Sequence, residues 1–282
     1  MMLPNHTPLH VAEQFKVLEA LYPGRVDLGI GRAPGTDYRT AMALRGGRGP
    51  GGAELPQQLG QLLAFSGLKE WPENHPFGTV SPGPGQPPID PVRAAPDDAP
   101  LPPIFLLGSS DFSAQVAAEA GLGFAFAGQI APEGAVEVLR MYRDQFQPSE
   151  LWSEPYAILS HNAICAPSDE EAYRLAAPSR VAFRRLRAGA PTPLPSVEEA
   201  LAEEGDEPRQ PPANIEAIRM VTGAPSTVRD IYEELLSRSG ADELMLMCST
   251  HDPADRIRSY ELIAEAFGLE GQDVSAAAIS SA

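Results

Sequence analysis

Apolar residues recur at Val11, Phe15, Leu18 and Leu21, a helical spacing, behind Thr7 and Pro8, which suit an N-cap and a first helical position. Pro23-Gly24 stops that helix, and Arg25–Gly31 then reads as a short strand. The segment Arg32-Ala33-Pro34-Gly35-Thr36-Asp37 is built of turn residues, and helices are expected over Asp37–Leu44 and Leu55–Phe65. Nine prolines between positions 82 and 103 deny the chain a regular ladder there, which predicts a loop or a short edge hairpin. Ile104-Phe105-Leu106-Leu107 is an unbroken apolar run ending at Gly108, the pattern of a strand buried on both faces. Ser109-Ser110-Asp111-Phe112-Ser113 opens a helix through Ala120, and Gly123–Ala127 is the next strand. A helix over Glu133–Phe146 and a strand over Tyr156–Cys165 follow. Helical segments are expected at Ser168–Arg187 and Val197–Glu203, then a polar, proline-rich stretch to Pro212. Ser226 is placed to cap a helix to Arg238, Asp242–Met247 is a strand, Pro253–Phe267 the last helix, and 271–282 a flexible tail.

This alternation of strands and helices, with about five βα steps, predicts an α/β fold with a parallel sheet and right-handed crossovers. One domain is expected over 1–270, with an insertion at about 169–225 between a strand and its helix, where barrel enzymes place their lids. Composition narrows the function. Among 282 residues, 43% are hydrophobic, an ordinary globular value. Asp and Glu number 38 against 21 Lys and Arg, a net charge of −17. Such a chain repels polyphosphate backbones and anionic membranes, so neither nucleic acid nor membrane is an expected partner. No apolar run is long enough for a membrane span, and residues 1–10 lack the basic and apolar regions of a signal peptide. Cys165 and Cys248 are too few for a disulfide scaffold, which points to a reducing cytoplasm.

Two places carry anion chemistry. The strand ending in Gly31-Arg32 puts a guanidinium at the carboxyl rim of the sheet, where it would suit a phosphate or serve in a structural ion pair. Gly29-Ile30-Gly31-Arg32-Ala33-Pro34-Gly35 is not a dinucleotide fingerprint, because Pro34 stands where the third glycine is needed. Gly108-Ser109-Ser110-x-x-Ser113 lies at a strand-to-helix junction, where free N–H groups, the helix dipole and three hydroxyls make an anion site; plain capping by Ser110 or Asp111 would explain only one of these residues. With Arg32 on the same rim, the set forms a phosphate cradle. His6 and His10 straddle Pro8 and do not form a metal pair, and no metal site is expected. His251 opens a strand-to-helix loop, as a cap or a substrate-facing group; His161 and His75 read as satisfied structural histidines. Cys165 and Cys248 read as buried thiols, and Arg180, Arg184, Arg185 and Arg187 as a solvated helix face.

Leu3-Pro4-Asn5-His6-Thr7-Pro8, Val11-Ala12-Glu13-Gln14 and Gly24–Arg32, followed by Leu106–Gln115 and Gly240–Met245, resemble the bacterial luciferase-like flavin monooxygenases over about Leu3–Phe267. The resemblance implies a (β/α)8 TIM barrel acting on a small organic substrate with reduced flavin mononucleotide (FMN) and O2 through a C4a-peroxyflavin. It implies FMN-phosphate contacts at Arg32, Ser109, Ser110 and Ser113, a flavin-facing Asn5, and a substrate side holding His6, Gln129 and His251. A separate flavin reductase would supply the cofactor. By the same resemblance, Met1-Met2-Leu3 matches the end of the third barrel strand, so the barrel is expected to be N-terminally truncated. About five complete strands would remain, with the insertion after the seventh. The family's pocket histidines would fall outside the sequence, leaving the catalytic residues unknown, and open sheet edges would favour a homodimer. A deazaflavin-dependent hydride transfer and a non-catalytic flavin-binding fragment are the alternatives.

Overall fold

A computed structural model describes residues 1–32, 37–47, 52–205 and 214–269. The turn over 33–36, the end of the proline-rich stretch at 206–213 and the tail at 271–282 lie outside the described residues. The chain groups into two compact units, Met1–Phe126 with Glu137–Ile158, and Ala127–Val136 with Leu159–Ala282.

In the first unit, β1 (Leu28–Gly31) pairs in parallel with β2 (Ile104–Gly108), and β2 with β3 (Gly123–Ala127), whose last residue passes into the second unit. The register is Gly31 opposite Leu107 and Gly108 opposite Phe126, and Met2 forms a parallel bridge to Gly31. The inward residues Leu28, Ile30, Ile104, Leu106, Phe124 and Phe126 are fully buried. Leu107 is 41% exposed, so β2 is not covered on both faces along its whole length as its apolar run suggests. Leu107 leans over Gly29, where an added Cβ would come within 3.2 Å of it.

Helices α1 (Pro8–Leu21), α2 (Tyr38–Leu44) and α3 (Leu55–Phe65) precede β2, and α4 (Asp111–Ala120) follows it. Thr7 precedes α1 without a side-chain cap bond, whereas Asp37 caps α2 by accepting from Arg39 and Thr40 N–H. The proline-rich stretch forms no strand beyond one bridge, Val80 to Ile89. Helix α5 (Ala135–Gln145) begins in the second unit and continues in the first. There the buried Tyr142 hydroxyl donates to the Leu122 carbonyl (2.8 Å) and accepts from the Tyr156 N–H (3.2 Å).

Strand β4 (Ala157–Cys165) starts with two residues of the first unit and continues in the second, where it pairs in parallel with β5 (Met220–Gly223); β6 (Glu243–Met247) also pairs with β4. Strand β5 makes six strands among the described residues, not five. It was hidden because Met220-Val221-Thr222-Gly223 is only four residues long and follows a polar stretch. Between β4 and β5 lie α6 (Asp169–Leu175), α7 (Ala177–Arg187) and α8 (Val197–Glu204). Ile164, Ala166, Ala172, Leu175, Ala176 and Cys248 form one buried cluster, and Ala177, Val181 and Ala200 another. Helix α9 (Pro225–Ser239) starts at Pro225 behind Ala224, so Ser226 lies inside it and is not its cap. Helix α10 (Pro253–Ala266) is capped by Asp252, which accepts from Ala254 N–H at 2.8 Å. Among the described residues no helix is long and apolar enough to cross a membrane.

Candidate functional site

The rim of the first unit is set by strand register. Met2, Gly31 and Leu107 are neighbours across three parallel segments, so the residues just beyond them emerge along one edge. They are Asn5 in the short 3-10 turn Leu3–Asn5, Arg32 after β1, and Ser109 and Ser110 after β2. The turn is held from below by the buried Arg45, whose Nε donates to the Pro4 carbonyl (2.9 Å) while Nη2 pairs with Glu54 (2.6 Å). Asn5 itself is left wanting: its amide nitrogen and oxygen are both inaccessible and neither has a hydrogen-bond partner. A buried amide without partners is costly unless something else supplies them.

Arg32 lays its guanidinium over the Phe112 ring, 4.6 Å from the centroid, and no carboxylate among the described residues pairs with it. That stacking carries the charge to the first turn of α4. Ser110 occupies the N-cap position but makes no side-chain cap bond, so its hydroxyl is not spent on the helix. Ser113 is 3% exposed and abuts Gly108, where a Cβ would fall 2.5 Å from Ser113 Cβ and 2.7 Å from its Oγ. Only glycine lets the strand end approach the serine this closely. One negative group shares the turn: Asp111, exposed, whose carboxylate accepts from the Phe112 N–H at 2.8 Å. The structure thus brings Arg32, Ser109, Ser110, Ser113 and Asn5 to one edge. His6 follows them but is exposed, and its ring has no hydrogen-bond partner among the described residues.

The second unit holds a cavity of about 720 Å³ bounded by α6, α7, the 191–194 segment, the residues leading into β5, and Asn162 of β4. Phe183, Leu186, Leu194, Ile218, Met220 and Ile231 give it apolar walls. Gln129 lines it with a buried, unpartnered Oε1, and its backbone carbonyl accepts from Arg219 Nη1 at 3.3 Å. Arg219 also donates to the Ile130 carbonyl (2.8 Å) and stacks on Phe183 at 4.7 Å. Arg180 lies in the same wall, bidentate to Glu204 (2.9 and 2.7 Å), bonded to the Tyr173 carbonyl and stacked on that ring at 3.8 Å. Arg180 is therefore not part of a solvated face. Arg184 and Arg185 are partly exposed and pair with Glu203 and Glu204.

His251 is exposed and bonds through Nδ1 to the carbonyl of Leu194, a wall residue, at 3.3 Å. His161 is a satisfied core histidine. Its Nε2 donates to the Ile218 carbonyl (2.8 Å) and its Nδ1 meets the Tyr232 hydroxyl (3.1 Å), while burial, ahead of nearby Arg219, lowers its pKa and keeps it neutral. His75 stacks on Trp71 at 4.4 Å and accepts from Phe77 N–H. Cys165 and Cys248 are buried, and desolvation pushes the Cys165 thiol up to about 11, which leaves it unreactive near neutrality. Of the cavity's side chains, Gln129 was among the residues expected on the substrate side, and most of the others were missed from sequence. Arg219 gave no signal because β5 beside it was not recognised, and Phe183 and Asn162 carry no motif.

Comparison with known proteins gives a consistent result. The sequence profile of the family described as luciferase-like monooxygenase matches residues 1–243. An Escherichia coli (strain K12) protein named luciferase-like monooxygenase is 37% identical over 262 residues, covering 93% of this chain and 73% of its own length. The crystal structure of apo-MsnO8 superposes with a TM-score of 0.81 at 36% identity, over 96% of this chain and 77% of that one. The FMN complex of the oxygenating constituent of 3,6-diketocamphane monooxygenase from Pseudomonas putida has a TM-score of 0.61 over 95% of this chain and 78% of that one. At 20% identity it shares the fold alone.

Proposed function

Because the chain belongs to the luciferase-like monooxygenase family, we propose that this enzyme uses reduced FMN, held by its phosphate at the first unit's rim, to oxidise a small organic substrate with O2. The observation that carries the reading is the unspent anion chemistry at one strand edge. Arg32 has no carboxylate partner among the described residues, and the N-cap Ser110 does not cap its own helix. Such a group fits the residues present. The cradle at Gly108 and Ser113 is too tight for a Cβ, as close approach to a phosphate requires. The orphaned Asn5 amide offers one donor set and one acceptor, which suits a ring edge bearing both carbonyl and N–H groups.

When bound, the reduced flavin supplies the electrons that activate O2 for transfer of an oxygen atom. The chain's own residues then bind and orient. Arg32 and the serine hydroxyls neutralise and position the phosphate, and Asn5 fixes the ring. Gln129, His251 and His6 are assigned to the substrate side. The reading includes a separate reductase as the source of reduced cofactor, a homodimer as the working assembly, and a cytoplasmic setting.

The test is titration of the full chain with FMN and with riboflavin, which lacks the phosphate, following flavin fluorescence alongside far-UV circular dichroism. FMN should bind saturably and tighter than riboflavin, and inorganic phosphate should compete. Equal binding of the two by a folded chain would overturn the rim assignment. A parallel titration with a deazaflavin cofactor reads which ring the site prefers, and oxygen uptake with reduced FMN reads the reaction type.

A further inference from the structure

We propose that the cavity of the second unit is a site for a small amphipathic acid, with an aliphatic or aromatic body in the apolar walls and a carboxylate at Arg219. The proposal concerns binding by the second unit and stands apart from the flavin-monooxygenase reading.

Charge makes the first argument. The chain carries 38 carboxylate side chains and a net charge of −17, yet among the described residues no Asp or Glu lines this cavity, while two arginines do. A wall so purged of acids on so acidic a chain is built to admit negative charge. The two arginines differ in how far they are already engaged. Arg180 is neutralised by a bidentate pair with Glu204 and held by the Tyr173 carbonyl and ring. Arg219 spends one nitrogen on the Gln129 and Ile130 carbonyls and stacks on Phe183, and no carboxylate among the described residues pairs with it. Its stacking and backbone bonds fix the guanidinium in orientation and leave its charge uncompensated. A fixed planar fork of this kind matches a carboxylate.

Shape makes the second argument. About 720 Å³ lies in the range of pockets that take drug-sized molecules, and six large apolar side chains line it. Gln129 adds an independent polar demand, because its Oε1 is buried in the wall with no donor. A hydroxyl or N–H on the ligand body would satisfy it. Asn162, on β4, lines the same space. Together these features select an anionic head, an apolar body and one donor along it. A protonated amine would meet Arg219 and no compensating carboxylate.

The experiment is isothermal titration of the full chain with octanoate, octanol and octylamine, three probes sharing one alkyl chain and differing in head-group charge. Octanoate should bind about tenfold or more tightly than octanol, the worth of one charge-assisted contact, and octylamine weakest. Rising ionic strength should erode the octanoate advantage and leave octanol alone. Arg219→Gln should bring octanoate to the octanol affinity, and Arg219→Lys should keep part of the preference. Equal binding of the three probes by the unaltered chain, or octylamine binding best, would overturn the proposal without any variant having to fold. A preference unchanged in a folded Arg219→Gln protein would overturn the assignment to Arg219. FMN titration of the same preparations separates the two readings. Octanoate selectivity with no FMN binding sinks the flavin function and spares the acid site, and the reverse result does the opposite.

Discussion

The rim of the first unit and the cavity of the second are made by different means. The rim is backbone-built: strand ends in register bring Asn5, Arg32 and Ser109–Ser113 to one edge, and a glycine at 108 sets the approach. The cavity is side-chain-built, from helices, an irregular segment and a short strand far apart in sequence, with large apolar residues and stacked arginines for walls. A backbone-built site tolerates little variation where a Cβ would collide. A side-chain-built site can be reshaped one residue at a time.

The sharpest way to break this contrast is Gly108→Val. Its Cβ would fall 2.5 Å from that of Ser113, so the first turn of α4 must move. FMN affinity should fall by roughly a hundredfold or more, as expected when several charge-assisted contacts go together, while octanoate titration changes little. Near-native FMN binding would mean that the rim is not backbone-built. Arg32→Ala comes next, removing one charge-assisted contact at a cost of about 1.5–3 kcal/mol in FMN affinity, read from the same fluorescence titration.

Tyr142→Phe tests the first unit's packing apart from its chemistry. It removes the hydroxyl's bonds to the Leu122 carbonyl and the Tyr156 N–H, and urea unfolding should show a loss of about 1–3 kcal/mol. The smallest effect is a pH dependence. His161 has a folded pKa below its ordinary 6.5, so the unfolded chain binds the extra proton first. The stability that its neutral form provides is fully present above pH 6.5 and is lost as pH falls toward the lowered folded value. The thermal midpoint should therefore drop more between pH 7.5 and 5 in the unaltered protein than in His161→Gln. Equal drops would remove His161 as the cause.

The same contrast explains what the sequence made legible. Helix α3 and strand β3 could be bounded to the residue, because proline, glycine and apolar spacing act locally. The rim was legible for the same reason: Gly31-Arg32 and Gly108-Ser109-Ser110 are short motifs at strand ends, and parallel order implies that strand ends share an edge. The Arg180 environment was not legible. A run of four arginines on α7 reads as a wet face until Glu204, on another helix, is known to reach it. Strand β5 escaped because its pairing partner, β4, lies over fifty positions upstream, and four residues carry no period strong enough to announce it. Cap assignments failed where a neighbour took the position, as Ala224 did from Ser226.

One small bond in the second unit has a wider reach. Asp169, the first residue of α6, accepts from the N–H of Ala224, the residue before α9 (2.7 Å), with Gly223 lying against the same carboxylate oxygen. Fifty-five positions separate the two partners, yet the carboxylate of one holds the backbone N–H of the other. The bond clasps the start of α6, just after β4, to the start of α9, just after β5, so a shift at either helix start is passed to the other.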